Sequence, residues 1–259
     1  MRMPKTLATI ALSTAVIAVS ACGGDDDSSD GARGGDGELT VLAASSLTES
    51  FGELEESFEA EHDVDVKISF DSSSVLAEQV IQGAPADVLA TADQQTMQTV
   101  VDEGLTEGDP QIFASNTLTI VTPPDNPANI KRLQDFTSDD VKFAVCVPEA
   151  PCGDASQRLL ELNKIDADAA TQEQNVKSVL TKVTQGEVDA GLVYVSDAQA
   201  AGDDVATVDA ENSSEVVNSD PIAVLTDAAE PELAQDWVDL VSGKQGEQVL
   251  KSYGFQPGT

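Results

Sequence analysis

The sequence predicts an α/β protein of two lobes, each a mixed sheet flanked by helices, with a ligand cleft between them. Three observations carry this reading. Apolar runs of strand length alternate with helical patterns from residue 39 to 101, the rhythm of a sheet covered by helices. Pro123, Pro124 and Pro127 break that rhythm, and a second series follows. A late apolar run, Pro221 to Leu225, reads as a strand returning to the first sheet.

The elements follow in order. Leu39 to Ala43 reads as a buried strand. It ends in the serine turn Ala44-Ser45-Ser46-Leu47-Thr48, where Ser46 or Thr48 can cap the next helix. Phe51, Leu54 and Phe58 have helical spacing. Val64 to Phe70 alternates with strand period, and a second serine turn, Ser72-Ser73-Ser74, opens a helix that Gly83-Ala84-Pro85 stops. Asp87 to Ala90 is a third strand, and Asp93 caps a helix running to Val101. The second series places strands at Leu118–Val121, Val141–Val147 and Val188–Tyr194, with helices over Asp154–Leu162 and Gln174–Val183. After the returning strand, Pro231 starts a helix carrying Leu233, Trp237 and Leu240, and a last helix runs to Tyr253. The boundaries expected are residues 38–117 plus 221–259 for lobe one and 118–220 for lobe two. Hinges are expected near Thr117-Leu118 and Asp220-Pro221.

The N-terminus reads as a targeting segment rather than fold. Arg2 and Lys5 precede an apolar run from Leu7 to Val19, shorter than the roughly 20 residues that span a bilayer. Val19-Ser20-Ala21-Cys22 closes it like a cleavage site. A Cys directly after Ser-Ala resembles the lipobox of bacterial lipoproteins, in which that Cys carries the lipid; an ordinary signal with an incidental Cys is the alternative. Residues 1–21 are thus the signal. Residues 22–37, made of Gly, Asp and Ser with little apolar content, form a solvated linker behind lipidated Cys22. The body would sit outside the cytoplasm, anchored to the outer face of the cell membrane.

Charge excludes one partner class. The formal net charge is −34, which repels nucleic acid; solubility or a saline niche accounts for the acid excess. Such a surface gives no long-range attraction to an anion, so an anion site must work through close, directed donors. The two serine turns supply them. A helix N-terminus exposes unpaired N–H groups and a partial positive charge, and hydroxyls add neutral donors. For either turn alone, a plain helix cap is the competing reading. A donor-only site leaves a ligand O–H unpaired, which disfavours hydrogen phosphate against fully ionised tetrahedral anions.

Enzymatic and metal readings lack their residues. The single histidine, His62, lies in the polar turn Glu61-His62-Asp63, and a hydrolase needs a nucleophile, a base and an orienter. The run Asp25-Asp26-Asp27 lies in the linker and lacks the loop geometry of a Ca²⁺ site. Past Cys22 only Cys146 and Cys152 remain. Their spacing is not the Cys-X-X-Cys of a thiol oxidoreductase. In an exported chain they are expected to form a disulfide, worth about 2 kcal/mol for so short a loop; two free thiols are the alternative.

Several segments match a known family as a set. They are Val41-Leu42-Ala43-Ala44-Ser45-Ser46-Leu47-Thr48, Phe70-Asp71-Ser72-Ser73-Ser74-Val75-Leu76-Ala77 and Gln82-Gly83-Ala84-Pro85-Ala86-Asp87-Val88. Ala92-Asp93-Gln94, Asn116-Thr117-Leu118, Gly191-Leu192-Val193-Tyr194-Val195-Ser196-Asp197-Ala198 and Tyr253-Gly254-Phe255 follow. From about residue 38 onward the chain resembles the molybdate-binding proteins of ABC transporters, the ModA family. The resemblance implies a type II periplasmic-binding-protein fold that closes over molybdate or tungstate. It implies no enzymatic activity, no cofactor and no metal beyond the oxyanion, with a membrane permease as partner and a monomeric state. Carried over by position, Ser46 and Ser73 donate through hydroxyl and backbone N–H. Cys152 and Val176 give backbone N–H groups, and Tyr194 gives its phenolic O–H. Another tetrahedral oxyanion such as sulfate, or a metal cation, are the alternative ligands. Asp71 and Asp154 put carboxylates near both edges of this site; unless they point away they should weaken anion binding.

Overall fold

The computed structural model describes residues 37–258; the expected signal segment, lipidated Cys22 and the linker up to residue 36 lie outside them. Two sheets form the body. The first has the order β11-β4-β10-β3-β1-β2, from β1 (Glu38–Ala44), β2 (Asp65–Asp71), β3 (Val88–Ala90), β4 (Gln111–Asn116), β10 (Asn218–Val224) and β11 (Gln256–Pro257). Strands β1, β2 and β3 are parallel, while β10 runs antiparallel to β3 and β4. The second has the order β7-β6-β8-β5-β9, from β5 (Leu118–Thr122), β6 (Phe143–Cys146), β7 (Thr171–Glu173), β8 (Ala190–Tyr194) and β9 (Ala206–Val208). Here β6, β7 and β8 are parallel, and β5 is antiparallel to β8. Both sheets are mixed and both are flanked by helices.

The helices of the first lobe are α1 (Thr48–His62), α2 (Ser73–Ile81), α3 (Gln94–Asp102), α7 (Pro231–Ser242) and α8 (Lys244–Ser252); those of the second are α4 (Pro151–Leu162), α5 (Val176–Thr184) and α6 (Val195–Ala201). Apolar residues at helical spacing explain why α1 packs inward: Phe51, Leu54 and Phe58 are buried. Phe51 and Phe58 meet the ring of Trp237 edge-on at 5.6 and 5.3 Å between centroids, a geometry that aromatic quadrupoles favour. In the second lobe Phe136 stacks on Phe143 at 4.3 Å. His62 ends α1, stacked on Phe58.

The chain passes between the sheets twice. β4 runs through Thr117 directly into β5, and the return falls between Val208 and Asn218. Asp220 and Pro221, the expected second hinge, instead lie inside β10, where pairing with β4 slips register between them. Proline lacks the N–H that the ladder needs, which is why the bulge sits there. Strand β4 escapes sequence reading because its ends are polar, and β7, β9 and β11 because they span only two or three residues. α4 begins three residues before the expected Asp154, at Pro151, a residue suited to the first helical turn.

Candidate functional site

Six strand ends meet in one place. The turn Ser45–Leu47 follows β1, Ser73 follows β2, and Ala92 lies just past β3. From the other lobe, Cys152 follows β6, Val176 follows β7, and Tyr194 ends β8. These are the carboxyl ends of parallel strands, where open α/β sheets place ligands. Ser46, Ser73, Cys152, Val176 and Tyr194 all line a single cavity together with Ala44, Ser45, Asp71, Ser72, Ala92, Pro151 and Asn175. Its free space is small, about the room of one water-sized sphere. Such a space excludes the drug-sized molecules that need several hundred Å³.

The donors are helix starts. Ser46 lies in the 3-10 turn that leads into α1, Ser73 is the first residue of α2, Cys152 the second of α4, and Val176 the first of α5. First-turn N–H groups have no carbonyl partner within their own helix, and the helix dipole makes that end positive. The serines do not act as caps, contrary to the cap reading. No side-chain cap bond forms at the start of the Ser45–Leu47 turn or of α1, and Thr48 Oγ1 donates to the Ser45 carbonyl instead. Ser72, the N-cap residue of α2, also makes no cap bond; its hydroxyl meets that of Ser74 at 3.0 Å. Asp93 does cap α3, accepting from the Thr96 N–H at 2.8 Å.

The hydroxyls are oriented. Ser73 Oγ accepts the Ala92 N–H at 2.9 Å, so its proton is free for the cavity. Tyr194, only 2% exposed, has its phenol held well above its ordinary pKa by burial, with Asp220, Asp93 and Asp197 adding to the effect. It is a neutral O–H donor. No Lys, Arg or His lines the cavity among the described residues.

The two acidic residues take different places. Asp154 is half exposed and pairs with Arg158 at 3.3 Å; it is not part of the lining. Asp71 does line the cavity, but its Oδ1 accepts the Ser72 N–H at 2.7 Å and the Asn175 Nδ2 at 3.0 Å. That second bond joins the lobes. The same Asn175 side chain caps α5 through Oδ1, which accepts the Ser178 N–H at 3.0 Å. Lys177 makes another junction: its Nζ lies 2.6 Å from Glu49 of α1 and 3.1 Å from fully buried Asp197 of α6. Burial pulls the Lys177 ammonium down, but Asp197 and Glu49 outweigh it and hold it above its usual range. Burial lifts the Asp197 carboxyl to about 6 against the pull of Lys177. Cys146 and Cys152 form a disulfide, which ties the loop before α4 to the strand it leaves.

Comparison with known proteins places this arrangement. The model of the bacterial extracellular solute-binding proteins matches residues 39–256. The molybdate-binding protein ModA of Mycobacterium tuberculosis (strain H37Rv) is 39% identical over 243 residues, covering 93% of each chain. The chain belongs to the ModA family. ModA of Escherichia coli (strain K12) is 33% identical over 237 residues, 85% of this chain and 89% of that one. A solved structure, the substrate binding domain of a putative molybdenum ABC transporter from Clostridium difficile, superposes with a TM-score of 0.65. It is 25% identical and covers 86% of this chain and 99% of that one.

Membership of the ModA family makes this a solute-binding protein, not an enzyme. Among the described residues no group of three His, Cys, Asp or Glu is placed to hold a metal ion. Sequence reading missed two side chains that bond to the lining: Asn175, which reaches Asp71 and caps α5, and Asn218, whose Nδ2 lies 2.8 Å from the Tyr194 phenol oxygen. Asn175 carried a readable signal, an Asn three residues before Ser178 at a helix start. Asn218, inside a strand, carried none.

Proposed function

We propose that this chain captures molybdate outside the cytoplasm and delivers it to an ABC permease. One observation carries the reading: neutral N–H and O–H donors from four helix starts and a tyrosine converge on one small cavity, without a basic side chain. A tetrahedral dianion presents four acceptor oxygens and no proton. Directed neutral donors replace its water shell without burying a counter-charge. The ligand-contacting groups in this reading are the hydroxyls and N–H groups of Ser46 and Ser73, the N–H groups of Cys152 and Val176, and the Tyr194 O–H. The names of the Mycobacterium and Escherichia relatives support molybdate as the solute. Tungstate has the same charge and shape and is held by the same donors. Cys22 serves as the lipid anchor, and the protein works as a monomer with no cofactor of its own.

Closure follows from the junctions already described. A ligand that touches both lobes favours the state in which Asp71–Asn175 and Glu49–Lys177 are made. Thermal melts with molybdate, tungstate, sulfate, phosphate and Ca²⁺ test the assignment. A ligand at a thousand times its dissociation constant adds about 4 kcal/mol, so molybdate and tungstate should raise the melting temperature by several degrees. A melt moved by sulfate or Ca²⁺ and not by molybdate would overturn it.

A further inference from the structure

Asn218 opens β10, where the chain re-enters the first sheet, and is 4% exposed. It is not among the cavity lining. Its Nδ2 lies 2.8 Å from the Tyr194 phenol oxygen, 3.1 Å from the Ala92 carbonyl oxygen and 3.5 Å from that of Pro151. The NH₂ group has two protons, and the two nearer acceptors, the Tyr194 oxygen and the Ala92 carbonyl, take them; reversed, the amide oxygen would oppose the carbonyls. The NH₂ group therefore points at the phenol, and the phenol oxygen accepts. A phenol has one proton to give and uses its ring-plane lone pair to accept. Among the described hydrogen bonds Asn218 is its sole partner. With the accepting side filled, the O–H is turned to the cavity.

The same logic operates at the other hydroxyl. Ser73 Oγ accepts from the Ala92 N–H at 2.9 Å, and the carbonyl of that same Ala92 receives Asn218. One residue thus links the backs of both hydroxyls, one from each lobe.

We propose that Asn218 is a positioning and specificity-determining residue: by filling the accepting side of Tyr194 it makes the phenol a donor only, so Tyr194 disfavours oxyanions that carry a proton, while the carboxylate of Asp71 is the one acceptor of that kind in the lining and is already engaged through Oδ1. This rests on the molybdate reading above. Molybdate offers only acceptors to Tyr194. Hydrogen phosphate brings an O–H that finds no lone pair there, and a buried unpaired donor is costly. Replacing Asn218 frees the phenol to turn its proton away and to accept.

Calorimetric titration of molybdate and of hydrogen phosphate into the wild type, N218L, Y194F and the double variant tests this. N218L should weaken molybdate by about threefold to tenfold, the worth of a neutral hydrogen bond, since the phenol keeps its proton but loses the partner that aims it. In the Y194F background the same change should cost little. N218L should also lower the preference for molybdate over hydrogen phosphate. Equal losses in both backgrounds, or equal losses for both anions, would mean that Asn218 only supports the fold, and would overturn the inference while molybdate binding stands. A wild type that binds no molybdate removes the functional reading itself. If N218L does not fold, the tyrosine Raman doublet of Y253F, whose remaining tyrosine is Tyr194, supplies the answer. On adding molybdate it should change from an accepting phenol to one that accepts and donates; an unchanged doublet overturns the proposal.

Discussion

At the scale of single residues, the hydroxyls of Ser73 and Tyr194 have their accepting sides filled by protein neighbours. Asp220 stands apart from them. It is 1% exposed, and neither carboxylate oxygen has a hydrogen-bond partner among the described residues. Burial, then the charges of Asp93 and Asp197, hold its carboxyl well above the ordinary range. A carboxyl raised by folding stabilises the native state fully below its unfolded pKa, about 3.9, and loses that contribution as pH rises through the folded value. D220N should therefore raise the melting temperature at pH 8, with the gain shrinking toward pH 4; a constant offset across that range would refute the ionisation argument. Residue by residue, what could be read from the sequence were groups that line the cavity. Ser46 and Ser73 announce themselves as hydroxyls at strand-to-helix turns. Asp71 could be placed at the edge but not paired, and Asn218 not at all, because their partners come from elements distant in the chain.

At the scale of elements, the loop before α4 and the start of α5 carry the second lobe's share of the site. The disulfide pins the first: Val147 to Pro151 arch over Gly153, where a Cβ would come within 1.8 Å of the Val147 carbonyl oxygen. Glycine is required there by the close approach of the backbone. Replacing both Cys146 and Cys152 by Ser should cost about 2 kcal/mol in chemical denaturation and weaken ligand binding as well, because the Cys152 N–H loses its fixed direction. Unchanged affinity would show that α4 holds its first turn unaided. At α5, K177M should destabilise the protein by about 3–5 kcal/mol, since it leaves Asp197 buried without its counter-charge. Adding D197N should recover most of that loss in urea unfolding, and a double variant no better than the single would refute the pairing. Helix and strand positions were mostly legible from periodicity, as at α1, β2 and α3. The two- and three-residue edge strands were not, because so short a segment has no period to read and exists only through its neighbour.

At the scale of the molecule, two mixed sheets exchange strands through Thr117 and through residues 209–217, and every parallel strand aims its carboxyl end at the shared cavity. The alternation, its restart and the late return were all visible in the chain. The mixed character of the sheets rests on antiparallel pairings of β10 and β5 with distant partners, which no local pattern encodes. The formal net charge of −34 has its own consequence: a dianion approaches against the field, and screening relieves that repulsion. Stopped-flow association rates for molybdate should rise with added NaCl, opposite to an electrostatically steered binder; a fall would place positive potential at the cleft mouth. The bonds across the cleft, Asp71–Asn175 and Glu49–Lys177, also set a clock. A ligand enclosed by lining residues most of which are buried leaves no sooner than those bonds part. Anions held by different strengths then share one ceiling on their rate of escape, the opening rate of the empty-handed protein, and residence time becomes a property of the two lobes more than of the cargo.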